Sequence, residues 1–566
     1  MKLRTSFFNA TVLKKDITRF APLWGLYTVF MLLVVLAIWG DYTEPARFAG
    51  NADEIMVGMG VVNFVYAGLA ALCLFGDLFK QRLCNALHAM PLRREGWFLT
   101  HCAAGFLFCL GPNALGAVLA AAMLGQYAYL AYVWLALMLL QYLCFFGIAA
   151  FSAQCAGNLL GAAAVYGIVN FLSVLALWLV KCFYEPVLFG VTVNGERLAQ
   201  FSPAVGFSIR NYVDVDYDYE TGVATFVGFN GESWMYALLA ALAGVALLVA
   251  AVFMYRRRKL ESAGDFIAFR PAGPVFLVLY SLCVGAVLYA FAEAVDNGLG
   301  TYFLMVGLAI GWFTGLMLLQ KRVNVFRAKT LVGLGVLVFA LYLSVSVVWM
   351  DPIGITRYVP APSQVQSVAV SPYPANRYHN RNASRVTDPA QIEKLTQIHE
   401  NLVEKREENT LYTPFRITYT MKTGVVVERS YYLNAFSEDG KWLNTIYSSM
   451  ETVLGSSDLG AMKRSIRYAE VYSYSYKDEK YLDTGGSMHF EIQSEDYSDL
   501  LDALAADCQA GKMTQVWDYR QNEEQVANIN LQFGQGIYQD IQVYDGATNT
   551  VAYLQQLAAK LETEEQ

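Results

Sequence analysis

Nine runs of mostly apolar residues, at 23–39, 57–75, 97–124, 127–151, 159–180, 234–255, 275–295, 299–319 and 331–350, constrain this 566-residue chain more than any other feature. About 20 such residues carry a helix across the roughly 30 Å hydrocarbon core of a bilayer, where a spanning segment must satisfy its own backbone. The runs therefore predict a polytopic α-helical membrane protein with about nine transmembrane helices. Charged residues make up only 16% of the chain, against about 25% in a soluble protein. Lys14, Lys15 and Arg19 precede the first run and no small-residue cleavage site follows it, so it reads as a retained span and not a signal peptide.

Charge divides the chain in two. Residues 1–350 carry a net +4 and residues 351–566 a net −11, so the halves are built for different solvents. Cationic connections stay on the cytoplasmic side. With the N-terminus inside, the connections 1–22, 76–96, 152–158, 256–274 and 320–330 hold 18 Lys and Arg, against 4 in 40–56, 125–126, 181–233 and 296–298. This predicts a multi-pass cell-membrane protein with a cytoplasmic N-terminus and an extracellular domain after Met350. Within 1–22, Leu3, Phe7, Ala10, Leu13, Ile17 and Phe20 share one helical face, as in an interfacial amphipathic helix on the cytoplasmic leaflet.

The connection 181–233 is too long for a turn and too polar to span, so it is expected to be a small folded extracellular loop. Its Asp214, Asp216 and Asp218 copy the start of a calcium loop, but Tyr219 stands where that pattern needs Gly and Thr225 where it needs Glu. Carboxylates at period two instead fit the wet face of a strand. The segment 351–566 reads as an extracellular α+β domain made of two copies of a strand-helix-hairpin-helix module, at about 360–454 and 487–566. The first copy has a strand at 365–370 and a helix at 388–405 with Ile392, Leu395, Ile398 and Leu402 on one face. Its Asp388-Pro389-Ala390-Gln391 start supplies a cap, a first-turn proline and a capping-box glutamine. A hairpin at 415–433 and a helix at 442–453 complete it. The second has a strand at 489–493, a helix carrying Tyr497, Leu500, Leu501 and Leu504, a hairpin at 529–544 and a helix with Val551, Leu554 and Leu557. The stretch 455–487 is expected to join them.

Searches for enzyme chemistry return little. None of the five histidines lies in an HExxH arrangement, and His399-Glu400 reads as a solvated helix flank. The nine cysteines have no CxxC spacing and fit small hydrophobes; Cys182 and Cys508 are the two expected to meet the outside. Ala510-Gly511-Lys512-Met513-Thr514 lacks the upstream glycine and the hydroxyl residue directly after lysine that a phosphate loop needs. No catalytic, cofactor-binding or metal-ligating residue is expected, and any ATP must bind another chain. No nucleic-acid partner is expected either.

Polar residues at membrane depth are uncharged: Asn63, Asn113, Gln141, Tyr166 and Asn170. They either hydrogen-bond between packed helices or line a pathway. In the connection 76–96, Leu83, Leu87 and Met90 give a short helix one apolar edge, Pro91 stops it, and Arg93 and Arg94 come next. Such a helix either docks in a groove of a soluble partner or lies flat on the membrane.

An amphipathic helix, two spans, the loop "NALHAMPLRREGWFLTH" at 85–101, and four more spans with a large exterior loop before the sixth together resemble the type-2 permease family of ATP-binding-cassette (ABC) transporters. The stretch "RRRKLESAGDFIAF" at 256–269 is similar to the segment after the core in such permeases from Gram-positive bacteria. The resemblance implies a six-span core at 23–255; a basic loop and three further spans follow at 256–350, and those spans and the exterior domain depart from it. It also implies two paired permease subunits in the bilayer. Each would rest Leu83, Leu87, Met90, Pro91, Arg93 and Arg94, together with Glu261, on a separate ATPase subunit that holds ATP and Mg. The second and fifth spans of the family line the pathway, which points to Asn63, Tyr166 and Asn170. The function so implied is export of a peptide-like, amphipathic or lipid cargo. From another class, a membrane-anchored sensor or assembly protein would use the exterior module to bind a ligand or envelope component.

Overall fold

A computed structural model describes residues 8–38, 45–89, 93–192, 199–218, 223–295, 299–372, 384–406, 412–474, 488–514, 524–533 and 537–564. The chain divides into two compact units, Met1–Tyr184 with Asn194–Ser346 and Glu185–Val193 with Val347–Gln566.

The first unit is helical. Its helices are α1 (Ala10–Arg19), α2 (Ala21–Ala37), α3 (Pro45–Leu74), α4 (Gln81–His88), α5 (Arg94–Leu124), α6 (Ala128–Cys155), α7 (Leu159–Asn170), α8 (Leu172–Leu179), α9 (Pro203–Gly206), α10 (Gly231–Arg257), α11 (Ala272–Val295), α12 (Gly300–Gln320) and α13 (Ala328–Trp349). Six stretches are long and apolar enough to cross a membrane, or eight if each of two bent pairs counts as one span. The first bent pair is α1 with α2, turned by 64°; Pro22, in the first turn of α2, cannot continue the ladder of α1. The second, Leu159–Asn170 with Leu172–Tyr184, turns by 62° where the Asn170 carbonyl accepts the Ser202 hydroxyl at 2.6 Å.

One of the six stretches, Arg94–Cys155, has 62 residues. The Tyr142 hydroxyl donates to the Gly105 carbonyl at 2.8 Å across 37 residues, which a straight helix would hold about 55 Å apart. The stretch therefore folds back at the turn Gly125–Tyr127, where Gly125 takes φ 57°. Close helix approaches rest on paired small residues: Gly147 of α6 lies against Gly244 of α10, and a Cβ on Gly307 of α12 would stand 2.7 Å from the Gly285 Cα of α11. Helix α13 buries none of its residues.

Two expectations for this unit change. Residues 45–56, placed in a connection by composition, are the first turns of α3, where the Asp53 carboxylate accepts the Tyr212 and Val213 amides at 2.6 and 3.0 Å. Helix α1 packs on the bundle: Leu13, Ile17 and Phe20 of its expected face lie against the core, Val12 and Asp16 are buried beside them where Asp16 meets His101 of α5 at 2.7 Å, and Ala10 is exposed.

The acidic strand exists: β1 (Val213–Asp218) pairs with β2 (Val223–Phe229), and Asp214 is exposed. The connection 181–233 is not one folded loop, however. Residues 185–193 belong to the second unit, where Ser430 N donates to the Gly190 carbonyl at 3.0 Å and Thr192 to Ser430 Oγ at 2.6 Å. Gly190 takes φ +70° against the Tyr431 ring, where a side chain would not fit.

The second unit carries two four-stranded antiparallel sheets. The first comprises β3 (Val365–Pro372), β4 (Ser384–Val386), β5 (Thr413–Met421) and β6 (Val426–Leu433), in the order β4-β3-β5-β6. Helices α14 (Pro389–Lys405) and α15 (Glu438–Tyr447) supply Ile392, Leu395, Leu443 and Ile446 to its core. Two short helices come next, α16 (Met450–Val453) and α17 (Leu459–Ser465). The second sheet comprises β7 (Ile466–Tyr474), β8 (Met488–Glu491), β9 (Gln525–Phe533) and β10 (Ile537–Tyr544), in the order β10-β9-β7-β8. It packs on α18 (Tyr497–Gln509) and α19 (Thr548–Glu564). Numbered within each module, the first sheet runs second, first, third, fourth strand, and the second runs the same order from its opposite edge, with β8 beside β7 and β9 on the other side. The first strand of the second module lies in the stretch 455–487 read as a join. Among the described side chains of β7, Ala469 and Val471 are buried and Ile466 packs against the core, an uneven spacing that does not read as strand alternation. The residues 489–493 read as that first strand overlap the short β8.

Two side chains expected outside lie inside. Cys508 is in the core of the second module, where burial pushes its thiol up to about 12. His399 is fully buried, with Nδ1 3.1 Å from the Tyr419 hydroxyl and Nε2 2.8 Å from that of Tyr431. Burial, with Arg429 nearby, pushes this imidazole down to about 3, so it is neutral in the folded module, whereas the unfolded chain takes up a proton near 6.5. The module should keep its full His399 contribution above pH about 6.5. It should lose up to about 1.4 kcal/mol per pH unit as pH falls from there towards 3. Between pH about 6.5 and 5, thermal unfolding of His399→Gln is expected to lack this slope.

Candidate functional site

The connection between α3 and α5, the one the sequence singles out, is anchored at a junction of helix ends. Arg258 comes directly after the last residue of α10 and is only 5% exposed. Its guanidinium donates to the carbonyls of Ala153 (2.8 Å), Gln154 (3.4 Å) and Leu78 (3.3 Å). One side chain thereby ties the ends of α10 and α6 to the turn Gly76–Phe79 that leads into α4. Burial lowers the pKa of this group from its usual value, and the Cys84, Tyr255 and Cys155 side chains oppose that.

Neighbouring contacts brace the same junction. Arg94 donates to the Arg258 carbonyl at 3.3 Å, Glu95 pairs with Arg256 at 2.8 Å, and Arg19 of α1 pairs with Asp77 at 3.3 Å. Residues after α10 run beside the α6–α7 connection: the Gly264 amide donates to Gly157 at 2.7 Å and the Ala268 amide to Cys155 at 2.8 Å. Gly157 is required there, because a Cβ would strike the Ser262 carbonyl. The turn Leu260–Ser262 lies against α4. Helix α4 itself buries Cys84 and leaves Leu83 40% exposed.

The expected coupling residues are distributed along this connection and its neighbouring turn. Leu83 is exposed on α4, Arg93 is exposed just before α5, and Glu261 is exposed on the turn beside α4. Arg94 joins the Arg258 network. Leu87 is within α4 but its side chain, like all of Met90 and Pro91, lies outside the described residues.

The expected pathway residues separate into two places. Asn63 is fully buried; its amide donates to Gln141 Oε1 at 2.8 Å and its Oδ1 accepts the Tyr27 hydroxyl at 3.0 Å. Asn113 donates to the Tyr27 oxygen at 3.2 Å, and Gln141 to the Met56 carbonyl at 3.1 Å. This cluster links α2, α3, α5 and α6. Tyr166 and Asn170 sit one turn apart before the bend between α7 and α8. Tyr166 stacks on Phe64 and donates to the Phe64 carbonyl at 2.7 Å. Asn170 is fully buried, donating to the Tyr166 carbonyl at 2.9 Å, and its Oδ1 has no hydrogen-bond partner.

Sequence reasoning missed Arg258 and the Asp16–His101 pair. Arg256, Arg257 and Lys259 flanking Arg258 are all exposed, and only the packing of α6 against α10 turns the third cation of the run inward. Among the described residues no group of three or more His, Cys, Asp or Glu is placed to hold a metal ion. Comparison with protein-family models, with curated proteins and with solved structures finds no match in any of the three.

Replacing Arg258 by Met should leave three buried carbonyls without their donor and cost about 3 kcal/mol. A lower melting midpoint of the purified chain in detergent, with faster amide exchange at 76–79 and 153–156, is the expected readout.

Proposed function

We propose that this chain is the membrane-spanning permease subunit of an ATP-driven ABC transporter, an exporter of a peptide-like, amphipathic or lipid compound. The observation that carries the reading is α4: a short helix with an exposed Leu83, bolted through Arg258 and Arg94 to the ends of α5, α6 and α10. A helix that only lay on lipid would need no such anchorage. One that receives force from a soluble partner does, because force passes through rigid, packed elements.

The fold-back of Arg94–Cys155 supports counting it as two spans, and with both bent pairs this makes nine. With the N-terminus cytoplasmic, nine crossings put the second unit outside the cell membrane. A separate ATPase subunit holding ATP and Mg docks on α4, Arg93 and Glu261, and a second permease subunit pairs with this one in the bilayer. Tyr166 and Asn170, at the break in the fifth span, line the pathway. Asn63 serves it indirectly, by holding the second span to its neighbours. The matching strand orders of the two exterior sheets support a duplicated module. That module also favours the second reading, a membrane-anchored sensor or assembly protein.

Co-purification separates the two. Burying Leu83 in a partner is worth about 1.5–3 kcal/mol, so Leu83→Asp, alone or with Leu87→Asp, should lower the amount of co-purifying ATPase about tenfold or more. Leu83 is exposed, so the chain itself should remain folded. A chain that purifies from its native membrane without an ATPase, and equally so with either variant, would move the weight to the sensor reading.

A further inference from the structure

The segment between α9 and β1 ends at a cation with no counter-charge. Arg210 is half-buried; its guanidinium lies over the Tyr236 ring, 4.5 Å from the centroid, and Nη2 donates to Gln200 Oε1 at 3.0 Å. Both partners are neutral, and no carboxylate among the described residues pairs with it. Its Nε is buried without a hydrogen-bond partner. Two residues on, Tyr212 is fully buried and its hydroxyl lies at the Gln141 side chain of α6. The acid beside Tyr212, Asp53, is occupied by the Tyr212 and Val213 amides.

The surroundings are apolar and exposed. Ile209 precedes Arg210 and is 51% exposed; Phe201, next to Gln200, is 72% exposed; Met235 and Leu239, beside and one turn beyond Tyr236, are each 57% exposed. Tyr236 lies five residues into the span Gly231–Arg257, about 8 Å along its axis. In a bilayer crossed by α10, this puts the guanidinium where headgroups meet hydrocarbon. At that depth a guanidinium held flat on an aromatic ring offers a planar fork of donors that matches carboxylate or phosphate.

We propose that Arg210 binds the anionic head of an amphiphile whose apolar tail lies over Phe201, Ile209, Met235 and Leu239. The head is a carboxylate or a phosphate, and the site needs only the spanning bundle, so it stands whether or not an ATPase docks at the other end.

The test uses the full chain in detergent micelles and photoactivatable forms of dioleoylphosphatidylglycerol, dioleoylphosphatidylcholine and oleate, with cross-links mapped by mass spectrometry and inorganic phosphate as competitor. Cross-links at 199–213 and 231–240 are expected from phosphatidylglycerol, oleate or both, at least about tenfold above phosphatidylcholine, and phosphate alone should compete poorly. Labelling by phosphatidylglycerol only assigns a lipid phosphate, and by oleate only a carboxylate. Arg210→Gln should reduce labelling there to the phosphatidylcholine level while cross-links elsewhere persist. Should that variant fail to fold, Arg210→Lys, which keeps the charge but not the fork, should weaken labelling severalfold. Equal labelling by the zwitterionic lipid, full labelling of Arg210→Gln, or no change in Arg210→Lys overturns the proposal, as does inorganic phosphate competing as well as the amphiphile.

Discussion

Polar groups drawn inside the helical unit find few water molecules, and each must be satisfied by the protein or cost several kcal/mol. Arg258 answers this constraint most fully. Three carbonyls, two at the end of α6 and one in the turn before α4, share one guanidinium, and those backbone groups hold α4, α6 and α10 in fixed relation. Remove the cation and three orphaned acceptors face one another. The Asn63, Gln141 and Tyr27 side chains follow the same rule deeper in the bundle, and Asn113 adds a donor to Tyr27 while its own Oδ1 stays unpartnered.

Rigidity at this junction gives the proposed function a physical basis. Helix α4 buries Cys84 and exposes much of the rest of its described surface, so it would be a loosely held segment if its flanks were free. Its flanks are not free: Leu78 before it and Arg94 after it both reach the same buried arginine. A displacement imposed on α4 is therefore passed to the ends of three long helices. The bend between α7 and α8 is the contrasting element, an apolar helix pair interrupted where a buried acceptor of Asn170 is left unpartnered.

Much of the architecture was legible from pattern alone. The apolar runs located the long helices, and the Asp388-Pro389-Ala390-Gln391 signal placed the start of α14, whose Gln391 amide donates to the Asp388 carboxylate at 3.2 Å. Alternation found β5, β6 and β9. Strand β7 escaped because Ile466, Ala469 and Val471, which pack on the core, do not alternate evenly, and His399 was misread because a histidine beside Glu400 on an amphipathic helix looks solvated until Tyr419 and Tyr431 close over it. Leu83, Arg93 and Glu261 were named through the resemblance and are exposed, whereas Arg258, buried in the junction beside them, was marked by no pattern.

Sequence by itself determined which segments are apolar enough to leave water, where basic connections cluster, and that an acidic α+β region comes after them, because these depend on local composition and period. Tertiary structure alone decided which polar side chain is buried and which partner it meets: Arg258 among four consecutive cations, Asp16 against His101, residues 185–193 beside β6, and Arg210 paired with no carboxylate among the described residues. Such pairings join residues as far apart as 180 and 238 positions, and no local pattern encodes a contact between segments that only packing brings together.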